Sequence, residues 1–240
     1  MDRHLADLAL AIYDDGAFKD YRSSDDGVGY KLDIHREKPD TPLSPFYISL
    51  RTPDHPVTTK RGPLKPLTVQ AIGQEMRRHA GVMKLRFDRI VGIPEAGVPL
   101  AEAFHHAQPE GMQKGLVYLH KRPVVHEESK RKQKKEQSRF MASLEGDYNH
   151  KDRVLIVDDL VRYGGTKGEA AGTLKKSFRL VVEDCLVLID QRPHRLRTES
   201  IAGLKVHAVF TIEDLVAQYR ASGVMPEEVA TRILTYLETA

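Results

Sequence analysis

Five short runs rich in aliphatic and β-branched residues recur between residues 87 and 210, and segments with helical spacing separate them. The runs are FDRIVGI (87–93), GLVYL (115–119), RVLIVDD (153–159), VEDCLVLID (182–190) and KVHAVF (205–210). Helices are predicted at 98–106, 165–176, 211–221 and 226–238. Strands that alternate with helices are typical of an α/β protein with a mostly parallel sheet and helices on both faces. Ligands bind such a sheet at the carboxyl ends of its strands.

The first 65 residues follow a different pattern. Apolar residues at spacings of three and four predict a helix over 2–14, and a composition rich in glycine and proline follows, with FYISL (46–50) as the clearest strand. A further helix is predicted over 66–80, with Pro66 in its first turn. We therefore predict an N-terminal helix and hood over 1–65, followed by a core over 66–240.

Composition excludes several classes of protein. The chain has 240 residues, of which 40% are apolar and 30% charged, as in ordinary globular proteins. Its formal charge of +3 gives no general case for nucleic-acid binding, and no run of about 18 apolar residues predicts a membrane span. Four acids within the first 15 residues exclude a secretory signal, so we expect a cytoplasmic protein. Cys185, the one cysteine, lies in an apolar run that predicts a buried structural thiol.

Residues 120–152 interrupt the alternation. They show no clear helical or strand period and contain the basic run KRKQKK at 130–135. An insertion of this length in a compact domain is either a functional lid or disordered. We therefore predict a flexible loop over 120–150, and binding of nucleic acid by the basic run is the least favoured hypothesis.

The string VLIVDDLVRYGGT (154–166) indicates a specific chemistry. A buried strand would place Asp158 and Asp159 at its carboxyl end, and the glycine turn after it leads into a predicted helix. Backbone N–H groups of such a turn, with a helix N-terminus behind them, form a binding site for anions. The carboxylates can accept hydrogen bonds from sugar hydroxyls, so a ribose 5-phosphate satisfies both halves. The alternative is that the acids cap a helix and the glycines only make a turn.

The same string resembles the phosphoribosyl pyrophosphate (PRPP) signature of type I phosphoribosyltransferases. Other segments resemble the orotate branch of that family, in the same order along nearly the whole chain. They are SPFYISLR (44–51), FDRIVGIPEAGVPLA (87–101), the basic loop, LVLIDQR (186–192) and GLKVHAVFTIEDL (203–215). The resemblance implies transfer of ribose 5-phosphate from PRPP to orotate, with magnesium bound through PRPP, no direct metal ligand from the protein, and a homodimer.

The resemblance also implies roles for individual residues. Asp158 and Asp159 would bind the ribose hydroxyls, and Lys121 and His126 would act from the mobile catalytic loop. The residues expected around the 5-phosphate are Arg162, Tyr163, Gly164, Gly165 and Thr166. Those expected at the pyrophosphate are Glu95, Ala96 and Gly97, with Lys121. Those expected at the base are Phe46, Tyr47, Gln191 and Arg192.

Departures from the family pattern support a second hypothesis. Val124 stands at the position of a family loop lysine, although the lysines of 130–135 follow it. Gln191 stands where the family has an arginine for the orotate carboxylate, and Arg192 comes one residue later. A PRPP-binding regulatory protein, or an enzyme for another base, is therefore the alternative.

Overall fold

The computed structural model describes residues 1–32, 35, 39–56, 60–121, 140–197 and 200–239. Its helices are α1 (Arg3–Asp14), α2 (Pro66–Val82), α3 (Gly97–His106), α4 (Gly165–Phe178), α5 (Ile212–Ala221) and α6 (Glu227–Thr239). Its strands are β1 (Phe18–Asp20), β2 (Phe46–Ile48), β3 (Arg89–Gly92), β4 (Gly115–Lys121), β5 (Phe140–Glu145), β6 (Arg153–Val161), β7 (Val181–Asp190) and β8 (Lys205–Thr211). Within the described part of the chain, no helix is long and apolar enough to cross a bilayer.

The main sheet has six strands in the order β5-β4-β3-β6-β7-β8. All neighbouring strands run parallel except β4 and β5, which are antiparallel. The five strands predicted from apolar runs are all present. The mostly parallel α/β fold predicted from the sequence is therefore confirmed.

Strand β5 was missed by the sequence reading, which found no regular structure over 120–152. It pairs with the end of β4, with Leu119 opposite Leu144 and Lys121 opposite Phe140. Phe140 is buried, so this edge strand contributes to the core through a run too short to show a clear alternation. The basic run 130–135 lies outside the described residues.

The helices cover the two faces of the sheet unequally. Apolar residues of α1, α2, α3, α5 and α6 form one cluster with the sheet, whereas α4 packs on the opposite face. Cys185 lies in the second cluster and is fully buried, and burial raises the pKa of its thiol to about 12. The predicted burial of this thiol is thus confirmed.

The hood is a two-stranded antiparallel ribbon of β1 and β2. Phe18 and Phe46 stack with a centroid separation of 5.8 Å, and Phe18 also packs edge-on against Tyr219 of α5. Phe46 packs against Tyr236 of α6. The N-terminal segment and the C-terminal helices therefore share one hydrophobic cluster.

The order of the strands defines where a ligand can bind. From β3 the chain passes through α3 to β4 on one side, whereas β6 lies on the other side of β3. Loops that leave two adjacent parallel strands in opposite directions open a crevice at their carboxyl ends. The crevice here lies between the loop after β3 and the turn after β6.

Candidate active site

Strand β6 delivers two adjacent carboxylates to this crevice. Asp158 is buried and Asp159 is half-buried. Asp158 Oδ1 accepts a hydrogen bond from the Asp159 backbone N–H at 2.9 Å, and Asp159 Oδ1 accepts one from the Leu160 N–H at 2.7 Å. Because β6 is paired on both edges, with β3 and β7, the position of these acids is set by the core of the sheet.

A tight glycine turn follows β6. Gly164 has φ +72°, in the left-handed region, and occupies the N-cap of α4. A Cβ on Gly164 would lie 2.3 Å from a side-chain carbon of Ile201, whereas one on Gly165 would meet nothing within 4 Å. The first N–H groups of a helix have no intrahelical partners. The turn therefore presents backbone donors at an open position, as an anion site requires.

Arg162 at the start of this turn is held by the C-terminal helix. Its Nη2 donates to the hydroxyl of Tyr236 at 2.7 Å, and its guanidinium lies over the ring of Tyr236 and beside that of Tyr163. Tyr163 is 65% exposed. Since Tyr236 also packs on Phe46, a chain of contacts connects the turn with the hood.

The loop after β3 lies against the acids of β6. The Ile93 N–H donates to the Val157 carbonyl at 2.9 Å, which continues the strand pairing into the loop. A Cβ on Gly97 would lie 2.7 Å from the Val157 carbonyl oxygen and 2.8 Å from Asp158 Oδ1, so only glycine allows this approach. Ala96 is buried, and Glu95, after a cis peptide bond from Pro94, accepts from Arg51 Nη1 at 3.1 Å. Of the residues predicted at the pyrophosphate, the structure thus places Gly97 directly against Asp158.

Lys167 is a site residue that the sequence analysis missed. Its Nζ lies 2.5 Å from Asp158 Oδ2, and both side chains are only 7% exposed. Burial alone would lower the pKa of Lys167, but the neighbouring charges, chiefly that of Asp158, raise it. The available signal was a lysine in the first turn of a helix, where the macrodipole disfavours a cation.

The carboxylate of Asp159 is electrostatically perturbed. Burial and the charge of Asp158 raise the pKa of Asp159 to about 7, although Lys167 opposes the shift. Adjacent carboxylates in a crevice commonly behave in this way, and such shifts mark functional sites. The proton occupancy of Asp159 therefore changes near neutral pH.

The residues predicted to contact a base lie on two sides of the crevice. Phe46 is buried in the hood, whereas Tyr47, on the opposite face of β2, is 42% exposed and packs against Tyr30. Gln191 is buried just beyond β7, and its N–H donates to the Val161 carbonyl at 2.8 Å.

Arg192, which follows β7, forms an ion pair with Asp190 at the end of that strand. Its guanidinium makes three hydrogen bonds of 2.8–3.2 Å to the carboxylate of Asp190, and both side chains are buried. It also donates to the carbonyl oxygens of Leu196 and Arg197. This arrangement orders the segment after β7, and contact of Arg192 with a base stays a prediction.

The predicted loop residues are only partly described. Lys121 ends β4 and is exposed. His126 and Val124 lie outside the described residues. Among the residues that the structure does describe, no group of three or more His, Cys, Asp or Glu is placed to hold a metal ion.

Comparisons with known proteins support the resemblance seen in the motifs. No protein-family model matches the chain. Over 191 residues it is 27% identical to an orotate phosphoribosyltransferase of Cenarchaeum symbiosum, covering 79% of this chain and 83% of that protein. Over 196 residues it is 24% identical to the bovine uridine 5'-monophosphate synthase, covering 81% of this chain but 35% of that protein.

The fold comparison agrees. The Leishmania donovani UMP synthase structure matches with a TM-score of 0.68 and 26% identity over 98% of this chain and 42% of that chain. The chain thus spans well under half the length of these two synthases. The type I phosphoribosyltransferase-like fold, and the similarity to orotate phosphoribosyltransferases predicted from the motifs, are confirmed.

Proposed function

We propose that this protein transfers ribose 5-phosphate from PRPP to orotate, giving orotidine 5'-monophosphate and pyrophosphate in pyrimidine biosynthesis. The observation that carries the proposal is the joining of two carboxylates, a glycine turn and the 94–97 loop at the switch point between β3 and β6. These features match the three parts of PRPP: a diol, a phosphate and a diphosphate. The similarity to orotate phosphoribosyltransferases supports orotate as the acceptor.

Each part of the crevice has a proposed role. The turn 162–166 holds the 5-phosphate with backbone N–H groups at the N-terminus of α4. Asp158 and Asp159 accept hydrogen bonds from the ribose hydroxyls. Each carboxylate oxygen has two lone pairs, so the oxygens that already accept a hydrogen bond within the protein can accept another from the sugar. The loop 95–97 lies beside the acids, on the side where the diphosphate would leave.

The reaction breaks the bond between ribose C1 and the diphosphate oxygen, which departs with the bonding electrons. The ring nitrogen of orotate forms the new bond to C1 and loses its proton. Positive charge develops on the ribose in the transition state, and the adjacent carboxylates stabilise it. Lys121, with His126 from outside the described residues, would balance the growing negative charge of the leaving group.

Magnesium and a second subunit are also part of the proposal. Hard divalent cations prefer oxygen ligands and retain waters, so the ion would enter bound to diphosphate and ribose oxygens and neutralise the leaving group. We propose a homodimer because the resembling family commonly pairs in this way.

The first test is consumption of orotate with PRPP and magnesium, followed by absorbance. Asp159→Asn removes the charge of the more accessible acid and should lower kcat/KM by about 100-fold or more, the size of effect seen when a transition-state contact is lost. Asp147→Asn, in the exposed loop after β5, is the matched control and should behave as wild type. Equal activity of Asp159→Asn and wild type would refute the proposed role.

A PRPP-binding protein without this catalysis is the second candidate. The engagement of Arg192 by Asp190 favours it, because no described arginine is then placed for the orotate carboxylate at that position. Calorimetry with PRPP and magnesium, beside the orotate assay, separates the two functions. PRPP binding without orotidine monophosphate formation by the wild type would support the second candidate, or a different base.

A further inference from the structure

The side chain of Lys167 runs against two physical preferences. It is the third residue of α4, where the helix dipole disfavours a cation, and its ammonium is buried. Burial of a charged group is costly unless the group is paired and hydrogen-bonded. The contact with Asp158 Oδ2 supplies that partner. Lys175 and Lys176 of the same helix are exposed, as lysines usually are.

Asp158, the partner of Lys167, has neighbours on three sides. Asp158 Oδ1 accepts from the backbone of Asp159, and Oδ2 accepts from Lys167. Gly97 lies on a third side, where an added Cβ would come within 2.8 Å of Asp158 Oδ1. Lys167 therefore connects the helix that follows the phosphate turn with the strand that carries the acids.

The charged groups around Asp158 and Asp159 leave Lys167 as the main counterion of these two acids. Cys185 of β7 faces it but is a neutral thiol, and Asp184 farther along β7 is paired with His207 at 2.7 Å. Arg192 beyond β7 is bound to Asp190. The contact from the β3 side is the uncharged Gly97. Among the described residues that act on the two acids, Lys167 is thus the cation that opposes their mutual repulsion.

We propose that Lys167 is a positioning residue for PRPP, whose buried ammonium, held on Asp158, aligns that carboxylate and favours the ionised form of the adjacent Asp159, so that both acids can accept the ribose hydroxyls. This role rests on the proposed function. Burial and the neighbouring charge of Asp158 favour the protonated form of Asp159, and a protonated carboxyl group has less acceptor capacity than an ionised one. Lys167 supports the site without touching the substrate.

A pH series distinguishes this role from a merely structural ion pair. Lys167→Met keeps the length of the side chain and removes the charge that opposes the raised pKa of Asp159, so the pKa of Asp159 should rise further. PRPP affinity in the presence of magnesium should then fall at neutral pH by roughly tenfold for each unit by which the pKa rises, and should approach the wild-type affinity by ~pH 9. Isothermal titration calorimetry from ~pH 6 to ~pH 9 measures the PRPP affinity of each variant. Ionisation of PRPP itself is the same for every variant, so it cancels when their profiles are compared.

Controls keep the outcomes separate. Lys175→Met, exposed on the same helix, should follow the wild-type profile. Lys167→Arg retains the charge and serves if Lys167→Met fails to fold. In the unliganded proteins, NMR titration of the aspartate carboxyl carbons should show Asp159 ionising at higher pH in Lys167→Met than in wild type.

Specific results would overturn the proposal. Equal weakening of PRPP binding at all pH values would make the pair structural, and unchanged binding with an unmoved Asp159 titration would remove Lys167 from the site. Wild-type protein that binds no PRPP at any pH overturns the proposed function instead. PRPP binding with the expected pH shift, but no orotate turnover, supports Lys167 and moves the proposed function to its alternative.

Discussion

Substitution of Gly97 by alanine tests the geometry of the crevice most directly. The added Cβ would lie 2.7 Å from the Val157 carbonyl oxygen, 2.8 Å from Asp158 Oδ1 and 3.0 Å from Asp158 Cα. Ordinary contact begins at 3.4 Å, so the loop after β3 and the end of β6 must separate by about 0.7 Å. Two of the three opposing atoms belong to the backbone of a central strand, which cannot move aside cheaply.

The size of the effect follows from this displacement. A misplacement of about 1 Å can cost roughly 100-fold in rate when groups must be aligned, or about 2.7 kcal/mol in transition-state free energy. We expect Gly97→Ala to lower kcat/KM with PRPP and orotate by about 30- to 100-fold. Overpacking should also lower the free energy of unfolding by about 1–3 kcal/mol.

The assay measures kcat/KM by orotate absorbance and the free energy of unfolding by urea denaturation followed by circular dichroism. Gly172→Ala is the matched control: it lies within α4, its Cβ would meet nothing within 4 Å, and it should gain about 0.5–1 kcal/mol in stability. A folded Gly97→Ala protein with wild-type kcat/KM would refute the claim that the loop and the acids act as one site.

Two other predictions concern the sides of the crevice. Tyr236→Phe removes the hydroxyl that accepts a hydrogen bond from Arg162. The KM for PRPP should therefore rise about two- to fivefold, which corresponds to roughly 0.5–1 kcal/mol of binding free energy, with little change in kcat. An unchanged KM would show that the contact does not order the turn. Arg192→Ala leaves Asp190 buried without its partner and should lower the free energy of unfolding by about 3–5 kcal/mol in urea denaturation. A stable Arg192→Ala protein that loses only its affinity for orotate would instead place Arg192 at the base.

The strands and helices were predictable because their signals are local. Runs such as VLIVDD and the spacing of apolar residues in α1 and α2 set both element type and buried face. The glycine turn was also predictable, since the left-handed φ of Gly164 requires the residue type that the sequence shows. Strand β5 was not predictable from period, because its run of six residues, Phe140–Glu145, is too short to show a clear alternation.

The contacts made by charged side chains could not be predicted from the sequence. The position of Lys167 in the first turn of α4 marks it as unusual, but nothing local names Asp158 as its partner, whereas Lys175 in the last turn is exposed. Arg192 was assigned from its proximity to a family position, whereas its partner, Asp190, is set by the backbone turn after β7. Pairings across elements depend on packing and register, which local patterns do not contain.

The two halves of the proposed reaction are supported by different parts of the structure. The proposed sites for the diol, the phosphate and the diphosphate all lie at the ends of β3 and β6, whose register continues through the Ile93 to Val157 hydrogen bond. The base side instead depends on Tyr47 of the hood and on Gln191 beyond β7, which lie on separate elements. Preorganised donors and acceptors bind with little ordering cost, whereas groups on separate elements must first be brought together. If the proposed function holds, PRPP recognition is therefore set by the core of the sheet, and the choice of base by the alignment of the hood with the end of β7.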